Sequence, residues 1–323
     1  MSSSRANPEI TFSFGKNWIE YLATVDDEVI TEAGKDIDDW LGTENIRDKS
    51  IVDIGSGSGL SSLCMHRRGC GRLVSFDYDP HSVEATKSLA EREGSPENWK
   101  IFEGSILDEA LVNRLGTFDI VHSWGVLHHT GDMWKAIDNA IRLCNPDALF
   151  FISLYRAGDR YKEHLALKRR FNKADEETKA EMVRTTKSIS PAYKSEHRGM
   201  SAYHDAIDWL GGLPYEVAHP SEVILFGAAR GLRPLRVCET GQQGCSIYLF
   251  RNDRNPGVPV GEEFEWSRYR TNEKGQRTLQ RQLGEDLETM RSELEFRRVQ
   301  MESLTCSARH CLGIIRRRFF AKS

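Results

Sequence analysis

The chain has 323 residues, of which 39% are hydrophobic and 28% are charged, enough for one large domain with an appendage. No apolar run approaches the roughly 18 residues of a membrane-spanning helix, and the first residues show no targeting signal, so we expect a cytoplasmic protein. The seven cysteines lack the spacing of metal ligands and predict reduced thiols and no metal site.

The charge of the chain, −4 in total, is unevenly distributed. Residues 1–159 carry 15 basic and 26 acidic side chains, whereas residues 160–198 carry 11 basic and 6 acidic ones. Phosphate binding needs concentrated positive charge. The acidic first half therefore argues against a nucleic-acid partner, and only the 160–198 segment offers a basic surface.

Five short apolar segments in the first half of the chain alternate with patterns typical of helices. These candidate strands are residues 50–54, 72–77, 99–102, 118–123 and 148–155. Because parallel strands need helical crossovers, the alternation predicts an α/β fold with a doubly wound, mostly parallel sheet. Asp79-Pro80 predicts the start of one helix, and Thr130 predicts the cap of a later one.

The pattern changes after the fifth predicted strand. Residues 156–218 are charged and helical in pattern, without a strand. Residues 219–232 predict a helix that Ser221 caps and Gly231 ends. Two further strands, 234–239 and 245–251, are joined by a short glycine-bounded link that predicts a hairpin. The expected sheet therefore has seven strands and closes with an antiparallel pair.

This organisation predicts five segments along the chain. They are an N-terminal helical cap (1–48), an α/β core (49–155), a helical insertion or lid (156–218), the end of the core (219–251), and a linker with a coiled-coil-like tail (252–323). Within the cap, three residues are candidates to cover a bound cofactor: Lys16, Asn17 and Trp18.

The tail shows a heptad pattern. From Leu283 to Ile315 the positions spaced alternately by four and three residues are apolar, except for Arg297. More than four heptads of this kind predict a coiled coil and hence a homo-oligomer or a helical partner. The alternative is a helix folded back on the domain. The final segment, GIIRRRFFAKS, is either a peripheral contact with the inner face of a membrane or a solvated basic end.

A glycine-rich segment, DIGSGSG, begins within the first predicted strand. Gly55, Gly57 and Gly59 allow a sharp turn from strand to helix and a close approach to a ligand. The spacing is G-x-G-x-G and not the G-x-G-x-x-G of dinucleotide folds. Asp53 before the loop favours a ligand with an ammonium group, and Asp77 at the end of the next strand suits two ribose hydroxyls.

These motifs, with the strand order, resemble class I S-adenosylmethionine-dependent methyltransferases over about residues 12–251. More closely, the chain resembles an uncharacterised bacterial group of methyltransferase-domain proteins that is often associated with envelope polysaccharide gene clusters. The stretches that carry the closer resemblance are FSFGKNW, DIGSGSGL, SFDYDP, EGSILDE, SWGVLHHTGDMW and RGMSAYHDAIDWLGGLPYEVA.

The resemblance implies S-adenosylmethionine as the cofactor. The loop formed by Gly55, Ser56, Gly57 and Gly59 would wrap its methionine part, and Asp53 would reach the ammonium group directly or through water. The remaining implied contacts follow the next three strands: Asp77 to the ribose, Tyr78 packed on the adenine, Ser105 and the backbone of Ile106 at the adenine edge, and Ser123 and Trp124 facing the methyl donor.

Two adjacent histidines, His128 and His129, follow the fourth predicted strand. Successive side chains diverge on a helix or a strand, and no nearby ligand set predicts a metal site. Two interpretations remain. Either the pair is structural and satisfies backbone groups at the start of the next helix, or one of the two abstracts a proton from the substrate.

A second polar cluster lies in YHDAIDWLGGLPYE, residues 203–216. Its segment follows the fifth strand, so we expect it over the cofactor crevice at the carboxyl ends of the strands. There it would act as a lid that excludes water, or alternatively form a tightly packed turn. The candidate base is His204, and the candidate substrate contacts are Asp205, Asp208, Trp209, Tyr215, Glu216 and, from the end of the fifth strand, Tyr155.

The expected function is in-line methyl transfer from S-adenosylmethionine to an oxygen of a small-molecule or glycan acceptor, with His204 or His128 as the base. Two alternatives stay open. The chain could methylate RNA or protein through its basic 160–198 segment, or it could be a cofactor-binding scaffold that presents the coiled coil to a partner.

Overall fold

The computed structural model of the chain describes residues 14–189, 201–239, 244–253 and 265–268. In these residues a central sheet has the strand order β3-β2-β1-β4-β5-β7-β6-β8. The strands are β1 (Ser50–Ile54), β2 (Arg72–Asp77), β3 (Trp99–Glu103), β4 (Phe118–Trp124), β5 (Cys144–Tyr155), β6 (Leu232–Glu239), β7 (Cys245–Asn252) and β8 (Glu265–Arg268).

The sheet is doubly wound and mostly parallel, as the sequence predicts. Strands β1 to β5 pair in parallel, and β7 runs antiparallel to both β5 and β6. The α/β fold class, the seven strands and the antiparallel closing pair are therefore confirmed. The short strand β8 adds a parallel edge beside β6; it lies in the segment for which the sequence predicted only a linker and a tail.

Helices cover both faces of the sheet. They are α1 (Phe14–Leu22), α2 (Asp27–Leu41), α3 (Thr43–Ile46), α4 (Leu60–Arg67), α5 (Pro80–Arg92), α6 (Glu109–Leu115), α7 (Met133–Arg142), α8 (Tyr161–Lys173), α9 (Glu176–Ile189), α10 (Ala202–Gly211) and α11 (Pro220–Ala228), with a single 3₁₀ turn at Leu127–His129.

Polar side chains fix where several helices begin. Asp79 caps α5 as predicted, since its carboxylate accepts from the backbone of His81. Two other predicted caps are wrong. Asp132 and not Thr130 caps α7, because the Thr130 hydroxyl donates instead to the carbonyl of Leu127. Helix α11 starts one residue before Ser221, with Pro220 at its first position.

The core lies on both faces of the sheet because alternate residues of each buried strand point to opposite sides. On β5, Phe150 packs with helices α6, α7 and α11, whereas Phe151 packs with α2 and α4. A third, smaller cluster lies beyond the end of β5, where Tyr155 meets Phe171 and Trp209 from α8 and α10. The helical insertion therefore packs at the carboxyl end of the sheet.

Two predictions for the tail are not tested by the structure. The chain divides into units 1–269 and 270–323, and the coiled-coil seam and the basic end lie in the second unit, outside the described residues. In the described part of the chain, no helix has the length and apolar composition needed to cross a membrane.

Candidate functional site

The glycine-rich loop leaves β1 in a conformation that side chains rarely adopt. Gly55, Gly57 and Gly59 have φ values of 70°, 56° and 81°, in the left-handed region that favours glycine. A Cβ atom at Gly55 would lie 2.4 Å from the side chain of Val126. The loop therefore packs closely against the segment after β4, and the predicted strand-to-helix turn is present.

Asp77, at the end of β2, organises this loop. One carboxylate oxygen accepts from the backbone N–H of Gly57 at 2.9 Å, and the other from that of Asp79 at 2.9 Å. Burial raises the pKa of Asp77 to about 6, against the effect of these two hydrogen bonds. Since a carboxylate has about four acceptor positions, Asp77 can still accept hydrogen bonds from ribose hydroxyls.

Asp53 is enclosed by the sheet. It is only 2% exposed, and its two oxygens contact Ser62 and His122, the latter with its Nδ1 at 2.7 Å. The predicted direct contact with an ammonium group therefore has to compete with these partners. Sequence reasoning missed His122, although its position in β4 beside Asp53 in parallel register follows from the predicted strand order.

The residues expected around the adenine lie at the ends of β2 and β3. Tyr78 is exposed on 44% of its surface, which leaves its ring free to pack on a base. Ser105 accepts from the backbone of Leu107. The Ile106 side chain is buried and its carbonyl accepts from Asn139, so its backbone N–H is the part that can face a ligand.

Three residues are expected near the methionine part or the methyl group of the cofactor: Ser123, Ser56 and Trp124. Ser123 is fully buried and donates to the carbonyl of Ile54 at 3.0 Å, so its hydroxyl is already occupied, and the expected position of Ser123 beside the methyl donor stays a prediction. The hydroxyl of Ser56 bonds with Thr86 at 2.9 Å, and its backbone N–H and carbonyl bond with Phe76 and Gly59. Trp124, at the end of β4, is partly buried against Phe151.

Helix α1 covers the glycine loop. A Cβ atom at Gly57 would lie 3.2 Å from Nε1 of Trp18, so the indole lies directly over the loop. The backbone N–H of Gly15 donates to Asp79 at 2.9 Å. Asn17 is buried and donates to the carbonyl of His204 on α10. The N-terminal cap and the insertion thus meet above the carboxyl ends of the strands.

The two adjacent histidines have opposite hydrogen-bonding states. Nδ1 of His128 accepts from the backbone N–H of Tyr155 at 3.2 Å, so its proton is on Nε2. Nδ1 of His129 lies 2.6 Å from the carbonyl of Pro214, which can only accept, so its proton is on Nδ1 and Nε2 has a free lone pair. This hydrogen bond argues against the prediction that His128 is a base, because Nδ1 is its accepting nitrogen and is already occupied.

Burial holds both imidazoles neutral. It lowers the pKa of His129 to about 3, and the nearby positive charge of Lys168 lowers it further. The pKa of His128 also lies well below its usual value, again mainly because of burial. A Cβ atom at Gly212 would lie 2.9 Å from Nε2 of His129, so the absence of a side chain at Gly212 makes room for this ring.

A lysine that sequence reasoning missed lies at the centre of the third core cluster. Lys168 of α8 is 0% exposed. Its ammonium nitrogen is 5.1 Å from the ring centre of Tyr155 and 4.8 Å from those of Trp209 and Tyr215. It donates to the carbonyl of Trp209. The sequence gives only a weak sign of its burial: Lys168 lies four residues after His164, so the two side chains share one face of a helix.

Two carboxylates of α10 complete this region. Asp205 and Asp208 are partly exposed and lie one helical turn apart. Burial and the neighbouring Asp205 raise the pKa of Asp208 to about 7, and burial raises that of Asp205 to about 6. Among the described residues neither forms an ion pair within 4.0 Å. Both were predicted as substrate contacts, as were the rings of Tyr155, Trp209 and Tyr215.

Two other predicted residues have structural contacts. The carboxylate of Glu216 accepts from the backbone of Met133 at 3.1 Å, at the start of α7; its expected contact with a substrate stays a prediction. His204 is 7% exposed, and its Nδ1 lies 2.8 Å from Oδ1 of Asn17. Among the described residues, no cluster of histidine, cysteine and acidic side chains could hold a metal ion.

Comparison with known proteins identifies the family. Residues 26–204 match the model of a family described as a methyltransferase domain. This match spans more than half of the chain, and it includes the glycine loop, Asp77 and both histidines. The chain belongs to this methyltransferase-domain family.

The cofactor of the family is S-adenosylmethionine, and the geometry of this methyltransferase fits it. The three left-handed glycines let the loop backbone pack directly against Val126, Trp18 and Thr86, where side chains on the loop would clash. Asp77 has acceptor positions for a ribose, and the exposed Tyr78 ring lies next to it. The acidic side chains at this end of the sheet suit a ligand that carries positive charge on its ammonium and sulfonium groups.

Curated relatives resemble only part of the methyltransferase. A ribosomal protein L11 methyltransferase of Vibrio campbellii is 29% identical over 83 residues, which are 24% of this chain and 28% of that protein. A ubiquinone biosynthesis O-methyltransferase of Methylobacterium sp. is 30% identical over 130 residues, 40% of this chain and 49% of that protein. The chain thus spans about a quarter to a half of the length of these relatives.

Solved structures show distant likeness. An O-methyltransferase family protein from Burkholderia thailandensis has a TM-score of 0.46 at 15% identity and covers 77% of this chain and 65% of its own. An N-methyltransferase from Bradyrhizobium japonicum has a TM-score of 0.44 at 15% identity and covers 75% of this chain and 99% of its own.

Proposed function

We propose that this methyltransferase transfers a methyl group to a hydroxyl oxygen of a small polar acceptor such as a sugar. The observation that carries the proposal is the roof above the strand ends, where Asn17 of α1 bonds with His204 of α10 and Trp18 covers the glycine loop. A roofed crevice excludes water and accepts a small molecule more readily than a folded polymer.

The sulfonium of S-adenosylmethionine supplies an electrophilic methyl group when it is bound. The residues of the chain then have to hold the acceptor in line and keep water away. The carboxylates of Asp205 and Asp208 can accept hydrogen bonds from neighbouring hydroxyls. The rings of Tyr155, Trp209 and Tyr215 offer apolar faces beside them, a combination that suits a polyhydroxylated acceptor.

A hydroxyl acceptor loses a proton during methyl transfer, and in this proposal Asp208, which is partly exposed on α10, takes that proton. A general base works best when its pKa is close to the working pH, and the pKa of Asp208 is about 7. His129 is a weaker proton acceptor, since its pKa is about 3. Its free Nε2 lone pair can instead accept a hydrogen bond that orients the acceptor hydroxyl.

The test measures transfer of labelled methyl from S-adenosylmethionine to fractions of polar metabolites and glycans, with Asp208→Asn beside the unmutated protein. Label in these fractions that depends on Asp208 supports the proposal. Label in protein or RNA alone would refute it. The partial likeness to a ubiquinone biosynthesis O-methyltransferase adds support for an oxygen acceptor.

A protein acceptor is the second candidate, favoured by the partial likeness to ribosomal protein L11 methyltransferases. The exposed basic residues of α8, Lys162, Arg169 and Arg170, would then face an acidic partner. Transfer of label to protein, with a rate that falls steeply as salt is raised, would support this candidate.

Assembly through the heptad segment is a further part of the proposal. We propose that residues 283–315 pair with a second copy or with a helical partner, which would place the enzyme in an assembly in the cytoplasm, with the basic end as a peripheral membrane contact. Removing residues 270–323, which form a separate unit, should abolish the assembly and leave methyl transfer intact.

A further inference from the structure

Lys168 is a buried lysine without a carboxylate at contact distance, and burial lowers the pKa of its ammonium group to about 7, so it carries a positive charge below that pH. It is 0% exposed, and among the described residues no carboxylate oxygen lies within 4.0 Å of its ammonium group. Taking an ammonium group out of water is energetically costly. An apolar side chain of similar size at this position would avoid that cost. A lysine kept in such a place is therefore a candidate for a functional role.

The environment of the ammonium group is specific. Three aromatic rings enclose it, those of Tyr155, Trp209 and Tyr215, and cations are stabilised over ring faces. One hydrogen bond goes to the carbonyl of Trp209, in the last turn of α10, where the helix dipole also favours positive charge. Lys168 therefore joins α8, α10 and the end of β5.

Helix capping alone does not require this lysine. The neighbouring Asn172 already donates to the carbonyl of Gly211 at 2.8 Å, at the same end of α10, without a buried charge. The other titratable groups around Lys168 are His164 on α8, His128 and His129 after β4, Tyr155 on β5, Asp208 on α10, Tyr215 after α10, and Cys245 on β7. Asp205 acts on Asp208 from one helical turn away.

We propose that Lys168 is a positioning residue for methyl transfer: its enclosed ammonium group fixes Trp209 and Asp208 against the end of β5 and supplies the positive charge opposite Asp208. The inference rests on the proposed function for the role of Asp208 as proton acceptor. Lys168 itself does not touch the acceptor, since it is fully buried behind the rings.

The electrostatic consequences have definite signs. The charge of Lys168 lowers the pKa of Asp208, because an opposite charge favours the carboxylate, against the larger effects of burial and of Asp205. The same charge also lowers the pKa of His129, after the larger effect of burial. Removing the charge of Lys168 should raise the pKa of both groups. A smaller fraction of Asp208 would then be ionised at neutral pH, and the pKa of His129 would lie closer to neutral pH.

The experiment replaces Lys168 by methionine, which has a similar shape and no charge. Two controls are Lys173→Met, an exposed lysine on the same helix, and Asn172→Ala, which removes a cap of α10 but no charge. NMR titrations of the Asp208 carboxylate and the His129 imidazole are recorded in all four proteins, together with the affinity for S-adenosylmethionine and the pH profile of methyl transfer.

We expect Lys168→Met, and neither control variant, to move the titrations of Asp208 and His129 to higher pH. The affinity for S-adenosylmethionine should be unchanged. The turnover number should fall by roughly tenfold to a hundredfold, as for other misplaced reacting groups, and the acidic limb of the pH profile should move up. Unchanged Asp208 and His129 titrations would overturn the inference, whatever the transfer assay gives. If the unmutated protein labels no small acceptor, the proposed function fails while the titrations still decide the role of Lys168.

Discussion

Asn17 and His204 lie 187 residues apart and exchange two hydrogen bonds: the Asn17 amide donates to the His204 carbonyl at 3.0 Å, and Nδ1 of His204 donates to the Asn17 carbonyl oxygen at 2.8 Å. Both side chains are buried. This pair closes the roof of the site because it joins the helix over the glycine loop to the helix that carries Asp205 and Asp208.

Removing one partner of this pair should open the roof. In Asn17→Ala, His204 keeps a buried N–H without its acceptor, which costs about 1–3 kcal/mol of folding free energy. We expect weaker binding of S-adenosylmethionine and a lower turnover number, measured by calorimetry and by release of S-adenosylhomocysteine. Glu28→Ala, an exposed residue on α2, is the control. Equal behaviour of the two variants would show that the pair does not hold the roof.

Asparagine at three positions separates the roles of the polar groups near the acceptor. Asp208→Asn removes the proposed proton acceptor and should lower the turnover number by a factor on the order of 10² to 10⁴. His129→Asn keeps a donor for the Pro214 carbonyl but loses the free Nε2, so we expect a smaller loss with a higher KM. His128→Asn keeps an acceptor for the Tyr155 backbone and should reduce turnover least. Steady-state kinetics on one acceptor check this order, and an order led by His128 would contradict the assignment.

Gly212→Ala tests the position of the His129 ring without changing any polar group. The new Cβ atom would meet Cε1 and Nε2 of His129 at 2.5 and 2.9 Å, so the ring has to shift. We expect lower turnover and unchanged affinity for S-adenosylmethionine, since the glycine loop is not touched. Unaltered turnover in a folded variant would mean that His129 does not contact the acceptor.

Stability should depend on pH through Asp208. Its folded pKa of about 7 lies above the ordinary value of 3.8, so the folded state binds more protons than the unfolded state between these values. The free energy of unfolding therefore falls as the pH rises from about 4 to about 7. Asp208→Asn should show a shallower fall than the unmutated protein in urea unfolding at several pH values. Glu181→Gln, exposed on α9, should change nothing, and equal slopes in all three proteins would refute the assignment.

Local patterns were sufficient for most of the fold. Apolar runs between helical patterns located β1 and β2 with their observed ends, because buried parallel strands are continuous apolar segments. Caps were less well predicted: Asp132 and Thr130 are two residues apart, and only the backbone path decides which side chain reaches the free N–H groups. Strand β8 was missed because four residues without a clear apolar alternation carry little signal.

The site was predictable where a motif fixes the backbone and much less so elsewhere. The glycine loop and Asp77 follow from spacing at the end of a strand. The sequence could not distinguish the roles of His128 and His129, because their hydrogen-bond partners, Tyr155 and Pro214, come from distant segments. Lys168 was missed for the same reason: its burial depends on rings supplied by three other elements.

The central claim is that the glycine loop and Asp77 bind S-adenosylmethionine for methyl transfer to a small polar acceptor. The most direct measurement incubates the protein and labelled S-adenosylmethionine with separated cell fractions of polar metabolites, glycans, lipids, RNA and protein. Asp77→Ala is the inactive form, and Glu103→Gln is the matched control, since Glu103 is exposed beside Asp77 in register on β3.

We expect label in the polar-metabolite or glycan fraction with the unmutated protein and with Glu103→Gln, and none with Asp77→Ala, because Asp77 accepts from the loop backbone and is proposed to bind the ribose. Label confined to RNA or protein would contradict the proposed acceptor. Tight binding of S-adenosylmethionine without label in any fraction would contradict the proposed transfer and favour a cofactor-binding scaffold.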